Sequence, residues 1–132
     1  MLPVTSQMGN KAMAQFSEVY AVEPDYLRVT MHGVFAAAEL VHFINRVRAE
    51  ADGVGRRRIL IDSHALGGTL TEAERFQGGL HIAEVFGGRK KLAWVLPAAQ
   101  ITKLGEMAAV NRGAEFLVTA SEDEALTWLL ED

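Results

Sequence analysis

RRRILIDSHALGGTLT, residues 56–71, is the stretch of the chain from which the fold can be inferred. Residues 59–61 form an aliphatic run without polar alternation, which is typical of a strand covered on both faces. A polar loop with two adjacent glycines follows. Thr71 and Glu74 then have the spacing of a helix capping box. This order predicts an α/β unit whose loop lies at the carboxyl end of a parallel strand, where sites usually lie.

The chain of 132 residues has the size of one domain. Residues 1–14 are small and polar without periodicity, so we expect a flexible leader and place the domain at residues 15–132. An apolar fraction of 49% and a formal charge of −4 are ordinary for a globular protein and indicate no DNA partner. The sequence has no cysteine, no membrane-length apolar run and no signal-peptide pattern, so we expect a cytoplasmic location.

The chain before residue 56 predicts a hairpin and a helix. Residues 16–22 and 26–32 alternate between apolar and polar side chains on either side of the turn sequence 23–25, which is typical of a β-hairpin. Apolar residues recur at helical spacing over residues 34–52, and Gly53 is predicted to end this helix.

The helix that begins at Thr71 is predicted to end at Gly87. Gly78 and Gly79 lower its helix propensity by up to ~1 kcal/mol each relative to alanine, so we expect them to permit close packing of the helix on the sheet. The predicted core stripe comprises Phe76, Leu80 and Ala83. Exposure of other apolar side chains of the helix would favour a protein partner or a homodimer, and the candidates are Ile82, Val85 and Phe86.

Two further strands and two further helices complete the pattern. Residues 92–96 and 114–119 are predicted strands, and the helix between them carries Ile101, Leu104 and Ala108 and stops at Gly113. Ser121 and Glu124 form a second capping box. The last helix is predicted to bury Ala125, Leu126, Leu129 and Leu130, with Trp128 close by. The order β-β-α-β-α-β-α-β-α predicts an α/β fold with a single mixed, mostly parallel sheet, an N-terminal antiparallel hairpin and four helices.

The chain resembles a known family in three segments: Leu27 to Gly33, Ile59 to Asp62, and the ending Glu124-Ala125-Leu126-x-Trp128-Leu129 that follows Phe116. These segments are similar to the SpoIIAA-like family of small bacterial domains, which is related to STAS domains and compared with lipid-binding SEC14-like modules. The resemblance covers residues 16–132. It implies a STAS/SpoIIAA-like fold and a binding or regulatory role, with no enzymatic reaction and no cofactor.

The candidate site residues lie in the loop 62–71 and are Asp62, Ser63, His64, Thr69 and Thr71. The first three place an acid, a nucleophile and a base side by side. Neighbouring residues that leave a strand point in different directions, however, whereas a catalytic triad needs mutual hydrogen bonds. We therefore expect Asp62 and Ser63 to bond loop amides and His64 to be partly exposed.

This region could also hold an anion site, a phosphorylation site or a metal site. The glycine pair and the helix start can form an anion site, although the sequence matches no nucleotide-binding motif. In anti-sigma-factor antagonists, which this region resembles, a serine or threonine of an Asp-Ser-Ser/Thr-Gly-type sequence is phosphorylated at the helix start. This chain lacks that motif, and Thr69 or Thr71 stands in the corresponding position. No metal is indicated, because His32, His42, His64 and His81 lack ligand spacing.

Two functions fit this pattern. The first is a non-enzymatic regulatory module that contacts a protein partner, or a second copy of itself, near the loop 62–71. The alternative is a carrier of a lipid or an amphipathic small molecule, which a large apolar cavity would favour and a filled core would disfavour. Basic residues that precede the parallel strands are expected at one end of the sheet, as solvated flanks or as a patch for an acidic partner, a lipid headgroup or RNA: Arg56, Arg57, Arg58, Arg89, Lys90, Lys91 and Arg112.

Overall fold

The computed structural model describes residues 16–131, so the predicted leader, residues 1–14, lies outside the described residues. The strands are β1 (Phe16–Val22), β2 (Leu27–Val34), β3 (Arg58–Asp62), β4 (Leu66–Gly67), β5 (Lys91–Val95) and β6 (Glu115–Thr119). The helices are α1 (Leu40–Val54), α2 (Glu72–Phe86), α3 (Leu104–Val110) and α4 (Glu122–Leu129). Single 3₁₀ turns, Ala37–Glu39 and Ala98–Gln100, precede α1 and α3.

The strands form one mixed sheet with the order β1-β2-β3-β5-β6. Among the strand pairs of residues 16–131, only the β1–β2 hairpin is antiparallel, and Val19 lies opposite Thr30 in it. The other pairs are parallel, with Leu60 of β3 opposite Ala93 of β5. Strand β4 is an addition to the predicted order and pairs with the end of β2. The predicted fold class is confirmed, and the two residues of β4 are too few to produce a periodic pattern.

The aliphatic run 59–61 is covered on both faces, as its sequence predicts. Ile59 and Ile61 belong to the large core that the sheet forms with α1, α2 and α3. Leu60 faces the opposite side and packs in a smaller core with Ala125 and Leu129 of α4. Three helices therefore cover one face and α4 covers part of the other, which places the carboxyl end of β3 between two layers of helices.

The buried face of α2 differs from the predicted one. Ile82 and Phe86 are 3% and 1% exposed, whereas the predicted core stripe, Phe76, Leu80 and Ala83, is only partly buried. Both stripes are apolar, so helical periodicity alone does not choose between them. Because Ile82 and Phe86 belong to the core and Val85 is partly buried against it, this helix does not offer the apolar docking surface that their exposure would have indicated.

The glycine pair of α2 packs against other helices rather than against the sheet, which corrects the prediction. A β-carbon added to Gly79 would overlap the carbonyl oxygen of Gly105 in α3. A β-carbon on Gly78 would lie 2.8 Å from Cδ2 of Leu40 in α1. The absence of side chains at these positions therefore sets the spacing of α1, α2 and α3, which surround the region behind the loop.

The ends of α1 and α4 correct three details of the prediction. Helix α1 runs through Gly53 and ends at Val54, and the next residue, Gly55, has a φ of 70°, the left-handed conformation that favours glycine. At the start of α4 the Glu124 amide donates to Ser121 Oγ at 3.1 Å, but the Glu124 carboxylate accepts from Thr119 instead of completing the capping box. Leu130, which was predicted to be buried, is 41% exposed because it follows the last turn of α4.

Helix α3 is shorter than predicted at both ends, since it begins at Leu104 and ends at Val110, three residues before Gly113. Helix α3 has seven residues, and Ile101 precedes it. Lys103 lies directly before α3 with a φ of 68° and bonds strand β6. The helix is followed by Gly113, whose φ of 94° suits a glycine after a helix.

Candidate functional site

The loop 62–71 leaves the carboxyl end of β3 and divides into a buried part and an exposed part. Asp62, Ser63 and Leu66 are buried. The short strand β4 holds the middle of the loop against the end of β2. Gly68 has a φ of 97°, and a β-carbon there would lie 2.7 Å from the Phe35 carbonyl oxygen, so the turn requires glycine. The exposed side of the loop is thereby held by backbone pairing, and its residues are His64, Ala65, Gly68, Thr69 and Thr71.

The Asp62 carboxylate is the centre of a polar cluster on the α4 face of the sheet. Its Oδ1 accepts the His64 amide at 3.1 Å and lies 2.6 Å from His64 Nδ1. Its Oδ2 lies 3.6 Å from the Arg28 guanidinium, which also bonds Glu122 at 3.1 Å. The hydrogen bond to the Asp62 carboxylate, helped by its negative charge, raises the pKa of the His64 imidazole above its usual value. His64 is 65% exposed, so this imidazole is charged or neutral according to pH at the protein surface.

Ser63 is on the other side of the sheet from this cluster. Its side chain is fully buried, and its Oγ accepts from Trp94 Nε1 at 2.8 Å. The same hydroxyl donates to the Met31 sulfur at 3.1 Å. The expected bond to a loop amide is thus replaced by a side-chain bond inside the large core. Asp62, Ser63 and His64 do not form a catalytic triad in this arrangement, because the hydroxyl and the imidazole lie on opposite faces of the sheet.

The two threonines differ in what their hydroxyl groups do. Thr71 Oγ1 accepts the Glu74 amide at 3.1 Å, and the Glu74 carboxylate accepts the Thr71 amide at 2.8 Å, so the predicted capping box is present. The exposed Thr69 hydroxyl has no hydrogen bond to any of residues 16–131. Glu72 and Glu74 both lie in the first turn of α2. Their negative charges disfavour an additional anion at this helix start, because they already occupy the positive end of the helix dipole.

A small apolar cavity lies behind the loop, between α2, α3 and the sheet. Its volume is about 90 Å³, and its apolar lining includes Phe35, Leu66, Ile82, Trp94, Ile101 and Phe116. The partly buried Arg75 side chain closes one side through bonds to the carbonyl oxygens of Leu70 and Gln100. Pockets that bind drug-sized ligands measure ~300–1,000 Å³. This cavity is too small to hold a lipid.

The basic residues before the parallel strands are bonded within the protein. Lys91 is buried and donates to the carbonyl oxygens of Trp128 and Glu131 at 2.7 and 3.0 Å. Lys90 Nζ lies 2.7 Å from Asp52. Arg56 donates to a carbonyl of the hairpin turn at 3.0 Å, and Arg57 pairs with a glutamate of β6. These bonds favour a structural role over a basic patch for RNA or lipid headgroups.

The histidines do not assemble into a metal site. His32 and His42 are exposed on different elements, and His81 Nδ1 lies 3.4 Å from Glu84 on the same helix. No group of three or more histidine, aspartate or glutamate side chains in residues 16–131 could hold a metal ion. In the same part of the chain, no helix is long and apolar enough to cross a bilayer.

Comparison with known proteins identifies the fold. No family model and no curated protein sequence matches this chain. An anti-sigma factor antagonist from Mycobacterium paratuberculosis superposes with a TM-score of 0.61 and 15% identity, over 88% of this chain and 95% of that one. An uncharacterized DUF3478-family protein with a SpoIIAA-like fold from Shewanella loihica PV-4 superposes with a TM-score of 0.53 and 18% identity, over 86% and 93% of the two chains. This chain therefore has the STAS/SpoIIAA-like fold that its sequence predicted.

Proposed function

We propose that this SpoIIAA-like protein is a non-enzymatic regulatory module that binds a protein partner through its loop surface. We define the loop surface as the exposed residues His64, Ala65, Gly68, Thr69, Thr71 and Glu72. One observation carries the proposal. The polar residues of the loop that could take part in a reaction are bonded inside the fold, whereas the exposed residues lie on a backbone that β4 and the capping box hold in place. A backbone that is already fixed favours binding, because little ordering entropy is lost on contact.

The charges beside the loop surface indicate the chemistry of the partner. Glu72 and Glu122 are 64% and 44% exposed. The nearest arginines are already engaged, since Arg28 bonds Asp62 and Glu122, and Arg75 bonds two carbonyl oxygens. Arg28 pairs with Glu122 and Arg75 with Glu72, so the excess negative charge comes from Glu74, Asp123 and Glu124 in the first turns of α2 and α4. A partner with a basic patch would complement it.

We further propose Thr69 as the residue at which this contact is regulated. A phosphate adds a charge of about −1.5 to −2, and here it would join the carboxylates of Glu72 and Glu74. The added charge would strengthen the attraction between the loop surface and a basic patch, so phosphorylation of Thr69 would tighten the contact. Thr71 is a weaker candidate because its hydroxyl is part of the capping box. The fold shared with an anti-sigma factor antagonist supports a regulatory role of this kind.

Affinity capture with matched variants tests the proposal. The full chain is tagged and expressed in its own host as wild type, Thr69→Arg and Glu72→Lys, with Asp25→Lys as the control. Asp25 is exposed in the hairpin turn at the opposite end of the sheet. Quantitative mass spectrometry should show one protein that is lost at least tenfold from both loop variants and is retained by the control. Equal recovery with all four chains would contradict the proposal.

A further inference from the structure

The two edge strands of the sheet differ in whether side chains bond their outward-facing backbone groups. At the β6 edge, the Val118 amide donates to Glu106 Oε1 at 2.6 Å, and the Val118 carbonyl accepts from Lys103 Nζ. Side chains of the α3 region thus occupy the place of a neighbouring strand. Lys103 has a φ of 68° and is the one non-glycine residue of positive φ among residues 16–131. Lys103 therefore keeps an unfavourable backbone conformation at a position where its side chain helps to block the β6 edge.

Strand β1 forms the other edge and has no comparable block within residues 16–131. The Glu23 amide bonds the Tyr26 carbonyl at 2.9 Å in the turn. Hydrogen-bonded and non-hydrogen-bonded pairs alternate along an antiparallel hairpin. Counting from that pair, every second residue of β1 therefore directs its N–H and C=O groups toward β2, and the residues between them direct theirs outward. The backbone groups that face outward are consequently those of Phe16, Glu18, Tyr20 and Val22. No strand of the described part of the chain lies beside them, and β1 contains no proline or lysine that would prevent pairing.

We propose that β1 pairs antiparallel with β1 of a second copy, around a two-fold axis at Val19. In this register Phe16 of each copy faces Val22 of the other, and Glu18 faces Tyr20. All four outward-facing residues then exchange backbone hydrogen bonds across the axis. Shifting the pairing by two residues in one direction would place Glu18 opposite Glu18, where like charges repel. The opposite shift would place Phe16 opposite Pro24, which lies outside β1 and has no amide hydrogen to donate. The register at Val19 is therefore the self-complementary one.

Charge and exposure agree with this register. Glu18 is the only charged residue of β1, and the Arg46 guanidinium of α1 bonds its carboxylate at 3.1 Å. Val19 and Val22 are 57% and 53% exposed. Pairing would place the two Val19 side chains side by side on the face that α4 leaves open, and would cover Val22 with Phe16. The two sheets would become one continuous sheet, and the loop surface takes no part in the pairing.

Cysteine crosslinking tests the axis directly, because the chain contains no cysteine. Val19 would face its own copy in a non-hydrogen-bonded pair, where α-carbons are ~4.5 Å apart, a distance that a disulfide can span. Ser17 is the matched control, since it is exposed on the same face of the same strand. Its two copies would lie four residues apart along the strand, about 13 Å, which is beyond disulfide reach.

The full chain should sediment at twice its mass of 14.4 kDa, and mild oxidation should crosslink Val19→Cys at least tenfold more than Ser17→Cys. Val19→Lys should raise the dimer dissociation constant at least tenfold without loss of the circular dichroism signal. Val41→Lys, at an exposed position of α1, should leave the dimer unchanged. A monomeric wild type, or equal crosslinking of the two cysteine variants, would overturn the proposal.

Discussion

Gly79 of α2 and Gly105 of α3 are in backbone contact, with no space for a β-carbon on Gly79. Alanine would improve the intrinsic helix propensity at position 79 by about 1 kcal/mol. Overpacking in a filled core costs about 1–3 kcal/mol, and the atom it would meet here is backbone, which cannot rotate away. The free-energy cost of overpacking therefore exceeds the gain in helix propensity.

We predict that Gly79→Ala lowers the free energy of unfolding by up to about 2 kcal/mol, measured by urea denaturation, because the gain in helix propensity offsets part of the overpacking cost. Gly53→Ala is the control, because Gly53 lies in α1 with no heavy atom within 4 Å of an added β-carbon. This variant should raise the stability by about 0.5–1 kcal/mol. A stabilising Gly79→Ala would show that α2 and α3 can separate at this contact.

The structure of α2 shows which parts of the fold were predictable. Its start was predictable because Thr71 and Glu74 act on each other within one turn. Its buried face was not, since Phe76 and Leu80 on one side and Ile82 and Phe86 on the other give two apolar stripes, and partners distant in the sequence choose between them. The contact between Gly79 and Gly105 depends on a residue 26 positions away in a different helix.

The hydrogen bond between Ser63 and Trp94 gives a second prediction. Ser63→Ala should destabilise the fold by about 1–3 kcal/mol, because it leaves a buried indole N–H without its acceptor. Ser17→Ala, at an exposed position, should change the stability by less than about 0.5 kcal/mol. Urea denaturation of both variants is the measurement, and equal effects would place Ser63 outside the core.

A double-mutant cycle isolates this bond from other effects of the substitutions. Trp94→Phe combined with Ser63→Ala should cost less than the sum of the single variants, with a coupling of about 0.5–3 kcal/mol. Additive costs would mean that the hydroxyl contributes through its contact with the Met31 sulfur rather than through Trp94.

The His64 imidazole should titrate above its usual pKa of about 6.5, because its Nδ1 bonds the Asp62 carboxylate. NMR titration of the His64 ring protons measures this. Asp62→Asn should bring the pKa down toward the usual value, and Glu122→Gln should lower it less, since Glu122 acts only through its more distant charge. Identical titrations in all three proteins would show that His64 does not contact Asp62 in solution.

The same bond makes stability depend on pH with a defined sign. The folded-state pKa of His64 is raised, so its stabilising contribution is complete below the unfolded-state pKa of about 6.5 and is lost as pH rises through the folded-state value. The free energy of unfolding of wild type should therefore exceed that of His64→Gln by more at pH 6 than at pH 8.5. Urea denaturation of both proteins at each pH measures this difference. A difference that grows with rising pH would contradict this assignment.

The candidate site was predictable in position but not in its bonding. The end of the aliphatic run at residue 61 and the capping box at Thr71 located the loop. The sequence could not reveal that Asp62 would meet Arg28 of β2, or that Ser63 would meet Trp94 of β5, because these contacts join separate strands. The strand β4, which holds the loop, was too short to predict.

Photocrosslinking in the native host tests the central claim most directly. A benzophenone amino acid replaces His64, Thr69 or, as the control, Asp25, and all three positions are exposed. The same protein should be crosslinked from positions 64 and 69 and not from position 25. Crosslinks to one partner from position 25 alone, or to unrelated proteins from all three positions, would contradict binding through the loop surface.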